Sequence, residues 1–329
     1  LLGVGGGGGG GALDQLPAAP LSVFVGRLPA TWASRMRERL LERARRHILL
    51  SDYHNSLPAH EAIAKTFVVA ATTKSTTTAA TTMGGSHLDE FPACQVTAVC
   101  ATLLCLAHET MALASQQTHA LAAATLYRTA RELLDLFRAV VPQRHSDGLA
   151  TLPRLAALFH NDCLLLAHAA LTLAHGYRQA LPAPLNKTAT CVDLAPPLRL
   201  LGEQVLQRQV AAQQVQLDEF LGACDQWVPS LDDDDDDDEG GRNDANSSEG
   251  GGAGGRQGKT KSGGGGPGTT AETVIRQCLF HLHHVANLWQ PVLDVNLYRV
   301  CMARLLKHAT APLVQAVLCA EDIAEVATV

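Results

Sequence analysis

Residues Leu133–Leu181, LLDLFRAVVPQRHSDGLATLPRLAALFHNDCLLLAHAALTLAHGYRQAL, read as one helix, a sharp break, and a long helix that is apolar almost all round. Ahead of the break, Leu126, Ala130, Leu133, Leu134, Phe137, Val140 and Val141 recur at helical spacings, which places them on one face. Pro142 has no N–H with which to continue that helix, and Asp147-Gly148 carries turn chemistry, so a break is predicted there. Thr151 is then placed to cap a second helix, with Pro153 in its first turn, where a missing N–H costs little. From Cys163 to Tyr177 there is no Asp, Glu, Lys or Arg. A surface helix would carry a polar stripe; this one is predicted to be wrapped by others.

The same periodicity predicts helices from Trp32 to Leu50, Pro92 to Leu113, Leu121 to Val141, Leu152 to Ala180 and Pro197 to Asp225. Later, Ile275, Cys278, Leu279, Leu282, Val285 and Trp289 mark one helical face. Beyond Pro291, Leu297, Cys301, Leu305 and Leu306 mark the next. No run of alternating strands is found. The fold class is therefore all-α: an elongated rod of stacked antiparallel helical bundles, each helix rising about 1.5 Å per residue. Residues 1–30 read as a low-complexity Gly-rich tail and 31–230 as the helical rod domain, with a loop over 58–90 that includes the Thr-rich stretch TTKSTTTAATTMGG. Residues 231–270 read as a disordered Asp/Gly-rich insert, rich in repelling charge and poor in apolar side chains, and 271–329 continue the helical domain. The opening LLGVGGGGGGG is neither a signal nor a transit peptide, and with Leu at position 1 the chain reads as a fragment.

Hydrophobic residues make up 47% of the 329 but aromatic ones only 4%, so the core must be built from Ala, Leu and Val, which favours closely packed helices. The formal net charge of −6 belongs to the insert: it holds ten acidic and four basic residues of the chain's 32 and 26, leaving 22 of each. A neutral body argues against a broad nucleic-acid footprint. The nine cysteines show no CxxC pair and mostly sit inside apolar helical patterns, which suits a reducing, cytoplasmic setting better than a disulfide framework. The uncharged stretches fall short of the roughly 20 apolar residues of a membrane span, so no transmembrane segment is expected.

Candidate chemistry is sparse. Ala253–Thr260, AGGRQGKT, fits a loosened phosphate loop with Lys259 and Thr260 aimed at phosphate and magnesium. Such a loop needs a buried strand before it and a helix after it, and Asp, Ser and Gly surround this one. His160 and Cys163 lie one helical turn apart and could share a metal, with His168 and His175 further along and His281, His283 and His284 clustered later. Neither HExxH nor a paired cysteine motif supports a zinc centre. His108-Glu109 and Asp52 with His54 resemble acid/base pairs in composition only, since adjacent helical residues do not face each other. There is no GxSxG elbow. The sequence therefore assigns no catalytic, cofactor-binding or metal residue, and an enzyme with a nucleotide site at 253–260 or a metal site at His160/Cys163 is the alternative reading. Arg35, Arg37, Arg39, Arg43, Arg45 and Arg46 form a basic face on the first helix, suited to an acidic partner or to lipid head groups in peripheral membrane association. The acidic run Asp232 to Glu239 is a solvated spacer or a dock for a basic partner.

Four stretches add a further reading: RRHILLSDYHNSL (Arg45 to Leu57), LFRAVVP with LPRLAALFHNDCLLLAHAALTLAHGYR, CVDLAPPLRLLGEQVLQRQ (Cys191 to Gln209), and VIRQCLFHLHHVANLWQPVLDVNLY (Val274 to Tyr298). Together, and in this order, they resemble the middle and C-terminal part of the Zeste-White ten family of kinetochore and membrane-tethering proteins. The resemblance implies a non-enzymatic scaffold without cofactors. At kinetochores such proteins join Rod-like and Zwilch-like subunits in recruiting dynein and dynactin and sustaining the spindle checkpoint. At the endoplasmic reticulum membrane they join a peripheral tethering complex that engages SNAREs for vesicles returning from the Golgi. The implied mechanism is geometric, with long helices holding partner surfaces at fixed separation.

Overall fold

A computed structural model describes residues 20–72, 91–224 and 271–319. The described residues form ten α-helices and two three-residue strands, so the all-α expectation is met. The Gly-rich stretch 1–19, most of the Thr-rich stretch, the Asp/Gly-rich insert and the phosphate-loop match lie outside the described residues. Among those described, residues within Leu1–Gln209 and Leu288–Val295 form one compact unit; those within Val210–Asn287 and Asn296–Val329 form a second.

In the first unit, α1 (Pro20–Leu50) opens twelve residues earlier than the sequence suggested and carries Pro29 inside it. A proline removes one main-chain bond, which a 31-residue helix tolerates when its inward side is packed. Ala33, Leu40, Ala44 and Ile48 form that side. Strand β1 (Ser56–Pro58) leads into α2 (Ala59–Thr72), so the loop expected over 58–90 is corrected over 58–72, and the rest of it lies outside the described residues. Ala59, Ala62, Ile63 and Thr66 are buried by the rest of the unit, so tertiary packing carries this short helix. Strand β2 (Gln95–Thr97) pairs antiparallel with β1 in the register Ser56↔Thr97, Leu57↔Val96 and Pro58↔Gln95. It also moves the start of the next helix, α3 (Ala98–Ser115), six residues past the expected Pro92. Thr97 caps α3, its hydroxyl accepting from the Cys100 N–H at 3.1 Å.

Helix α4 (Ala120–Arg144) buries Leu126, Ala130, Leu133, Leu134, Phe137 and Val141, the face read from the sequence. Pro142 does not break it: lying in the last turn it costs one bond, and the helix runs on to Arg144. The Asp147-Gly148 turn is likewise absorbed into a short helix, α5 (Ser146–Thr151). Thr151 closes α5, its hydroxyl donating to the Asp147 carbonyl at 2.8 Å, so the cap expected of it falls to Leu152. Helix α6 (Pro153–Tyr177) then runs with Pro153 in its first turn and seventeen of its 25 residues buried. It packs on α3, β2 and α5, while α3 and α4 pack on each other and on α1. Phe137 and Phe159 stack between α4 and α6 with ring centroids 5.6 Å apart. A short helix, α7 (Leu185–Thr188), precedes α8 (Ala195–Leu221).

Gly202 brings α8 against α6. A Cβ at this position would stand 2.7 Å from the Cβ of Cys163 and 3.2 Å from the His160 carbonyl. By length and composition α3 and the span Pro153–Ala180 are apolar enough to cross a membrane, contrary to the sequence expectation. With 61% and 78% of those windows buried inside the protein, both read as core helices.

In the second unit the C-terminal turns of α8 meet α9 (Ala271–Trp289) and α10 (Val295–Cys319). Phe220 sits edge-on to His281, and His308 bonds Asp218 at 2.7 Å. Of the α9 face read from the sequence, Cys278, Leu282, Val285 and Trp289 are buried, whereas Ile275 and Leu279 look outward.

Candidate functional site

The four consecutive residues His160, Asn161, Asp162 and Cys163 on α6 form the most polar point of the first unit's core. Steps of about 100° along the helix send them in different directions. Asp162 faces the β1–β2 ribbon. Its Oδ1 accepts from the Thr97 main-chain N–H at 2.8 Å, and its Oδ2 accepts from the Thr97 hydroxyl at 2.6 Å and the Tyr53 hydroxyl at 2.7 Å. Asn161 turns to the segment after α9. Its amide donates to both the Gln95 and Val292 carbonyls at 2.8 Å, and the Gln95 N–H closes the triangle on Val292 at 3.0 Å. Nearby, the Trp289 indole donates to the Pro153 carbonyl at 3.0 Å. One turn of α6 thus fastens residues brought from positions 53, 95–97 and 292, all within one unit.

Burial pushes the Asp162 carboxyl up to about 7, against the hydrogen bonds from Thr97 and Tyr53 that hold it down. The same burial, with the nearby carboxylate, raises Tyr53 and the Cys100 and Cys163 thiols well above their ordinary ranges. Such thiols stay protonated and are poor nucleophiles. Tyr53 is backed by the His145 ring, centroids 4.8 Å apart. An acceptor carboxylate filled by three donors, enclosed by apolar side chains, is suited to fixing a backbone geometry.

His160 and Cys163 point toward α8, His160 with its Nδ1 buried and without a hydrogen-bond partner. Burial lowers the His160 pKa, with Gly202 and Glu203 acting the other way. Among the described residues no three His, Cys, Asp or Glu side chains are placed to share a metal ion. His168 lies against Phe91, and His175 is exposed. His281 is half-buried, while His283 and His284 face solvent. His108 meets Tyr177, its neighbour Glu109 pairs with Arg43, and Asp52 accepts from the His54 main chain. None of the acid/base pairs considered from sequence comes together. The single basic face on α1 is corrected too: Arg37 turns to a two-pronged ion pair with Glu132 on α4, at 2.7 and 3.2 Å, and Arg43 reaches Glu109 on α3. Steps of about 100° turn Arg37 toward α4 and Arg43 toward α3, while Arg35, Arg39 and Arg46 keep to the outward side.

Sequence reasoning missed Asp162, Tyr53 and Thr97 as a unit. Two signals were present: a lone Asp in a helix whose one other charged residue is Arg154 in the first turn, and a Thr immediately before an apolar helical run.

Comparison with known proteins now places the chain. Residues 90–219 match the family model "Centromere/kinetochore protein zw10, C-terminal", and residues 273–329 match "ZW10 C-terminal helical domain". The chain belongs to the zw10 family and corresponds to its C-terminal part. It is 28% identical over 298 residues to the mouse centromere/kinetochore protein zw10 homolog, covering 85% of this chain and 34% of that protein. Against the rat homolog it is 30% identical over 233 residues, 70% of this chain and 26% of the other. The Arabidopsis thaliana homolog gives 29% over 231 residues, 70% and 27%. The chain spans about a third or less of the length of these relatives.

Proposed function

We propose that this chain is the C-terminal helical part of a non-enzymatic scaffold acting at kinetochores, at the membrane-tethering step of Golgi-to-endoplasmic-reticulum transport, or at both. The observation that carries the reading is the family match laid over an all-α body. The relatives' names include centromere and kinetochore, which supports the mitotic role. In that role its partners are Rod-like and Zwilch-like subunits, with dynein and dynactin recruited directly or through them. In the tethering role they are the other tether subunits and SNAREs at the endoplasmic reticulum surface, membrane contact being made through the complex. A buried hub that locks α6 to a ribbon and a distant turn supports a body that keeps its shape while partners pull on it.

The test is affinity purification of the tagged protein from dividing and from interphase cells, with partners identified by mass spectrometry. Rod-like and Zwilch-like proteins in the mitotic sample, or SNAREs with tether subunits in the interphase one, are the expected outcome. Recovery of neither, at normal expression, would overturn the reading.

A further inference from the structure

Helix α1 has two faces of different chemistry. The inward one, Ala33 to Ile48, is apolar and covered. The outward one begins with Phe24, Leu28 and Trp32, which step by four and are 62%, 45% and 39% exposed. Arg35, Arg39, Glu42 and Arg46 continue it at steps of three, four, three and four, all facing solvent. Alternating steps of four and three keep residues on one narrow seam of a helix, the spacing by which one helix lies along another.

The seam divides by chemistry. Its first half offers large apolar side chains to water, a costly arrangement for a lone helix. In its second half Arg35 and Arg39 make no ion pair among the described residues, unlike Arg37 and Arg43, which are used inside the unit, and Arg46, which pairs with Glu42 at 3.6 Å. We infer that this seam is the docking site for an acidic amphipathic helix of a partner protein, its apolar side chains covering Phe24, Leu28 and Trp32 and its carboxylates meeting Arg35 and Arg39. Glu42 within the seam and Glu38 beside it speak against an anionic bilayer, which would repel both. The chain's own acidic run, Asp232 to Glu239, holds no apolar residue and cannot cover the first half. The inference rests on the scaffold reading only in taking the occupant to be a protein, and its test uses purified components, so it stands or falls apart from the cellular purification.

The probe is a fluorescent synthetic peptide with leucines at its heptad core positions and glutamates beside them, titrated into the full chain by anisotropy. Saturable binding is expected. Reversal of charge in R35E/R39E weakens it about tenfold or more, and a matching lysine peptide regains affinity for that variant. Leu28→Ser weakens both peptides, and far-UV circular dichroism is unchanged in each variant, since the altered side chains lie in solvent. Three results would overturn the inference: acidic-peptide binding that is absent or indifferent to R35E/R39E, vesicles of phosphatidylcholine and phosphatidylserine bound through these residues in place of the peptide, or self-association of the chain that Leu28→Ser abolishes.

Discussion

Among the described residues Asp162 is the only carboxylate in the buried core, and its hydrogen bonds run to groups that have no other acceptor of comparable strength. Asp162→Ala strands one main-chain N–H and two hydroxyls out of water, and a loss of about 3 kcal/mol or more is expected in denaturant unfolding. Asp162→Asn keeps the shape and removes the titration. Because the folded carboxyl lies near 7 and the unfolded one near 3.8, the folded state holds the extra proton between those values. That stabilisation is complete below the lower value and lost as pH rises through the upper one. Burial lowers His145, His160 and His281, which acts in the opposite sense as pH falls. The difference between wild type and Asp162→Asn isolates the carboxylate: wild type is expected to lose stability relative to the variant as pH rises from 3.8 to about 7, and to change little above that. A second residue-scale test is Gly202→Ala. The added Cβ meets the Cys163 Cβ and the His160 carbonyl, groups fixed by backbone, so about 1–3 kcal/mol of destabilisation is expected, read as a lower melting midpoint.

At the scale of elements, the periodic helices were legible and their ends were not. The α4 face and the burial of α6 follow from apolar spacing, which tertiary packing reinforces. Pro142, Asp147-Gly148 and Thr151 were misread because punctuation residues near a helix end cost one bond or none, and local packing decides where the chain turns. The β1–β2 ribbon was invisible: three residues per strand leave no alternation to detect, and its support comes from side chains far along the chain. Asn161→Leu should therefore loosen the ribbon selectively. Faster hydrogen exchange is expected at the Gln95 amide, with α4 amides unchanged; uniform acceleration would show that Asn161 supports the whole unit instead. The arginine ion pairs matter less here. Arg37 and Glu132 are each about two-fifths exposed, so Arg37→Ala is expected to cost under about 1 kcal/mol.

For the whole molecule, nine free cysteines provide a readout of opening. Only Cys319 is exposed, while burial pushes Cys94 up to about 12 and Cys191 to about 11. A thiol reagent at neutral pH is expected to label Cys319 at once and the buried thiols only as fast as the fold breathes; rapid labelling of Cys100 or Cys163 would contradict the closed core around Asp162. The family could be read from the sequence because four stretches resemble it in order, and two of them carry His160 to Cys163 and Trp289-Gln290, which lie at or next to the groups that close the hub. Asn161 also orders events during synthesis. Its second carbonyl partner, Val292, is translated 131 residues later, after the whole acidic and glycine-rich tract. A nascent chain therefore carries this unit with a notch still open, its asparagine amide half-used and the place of Trp289 empty. Premature termination anywhere before that tryptophan would release a body with an exposed apolar cleft, fit for chaperone capture or degradation and unfit to bear load.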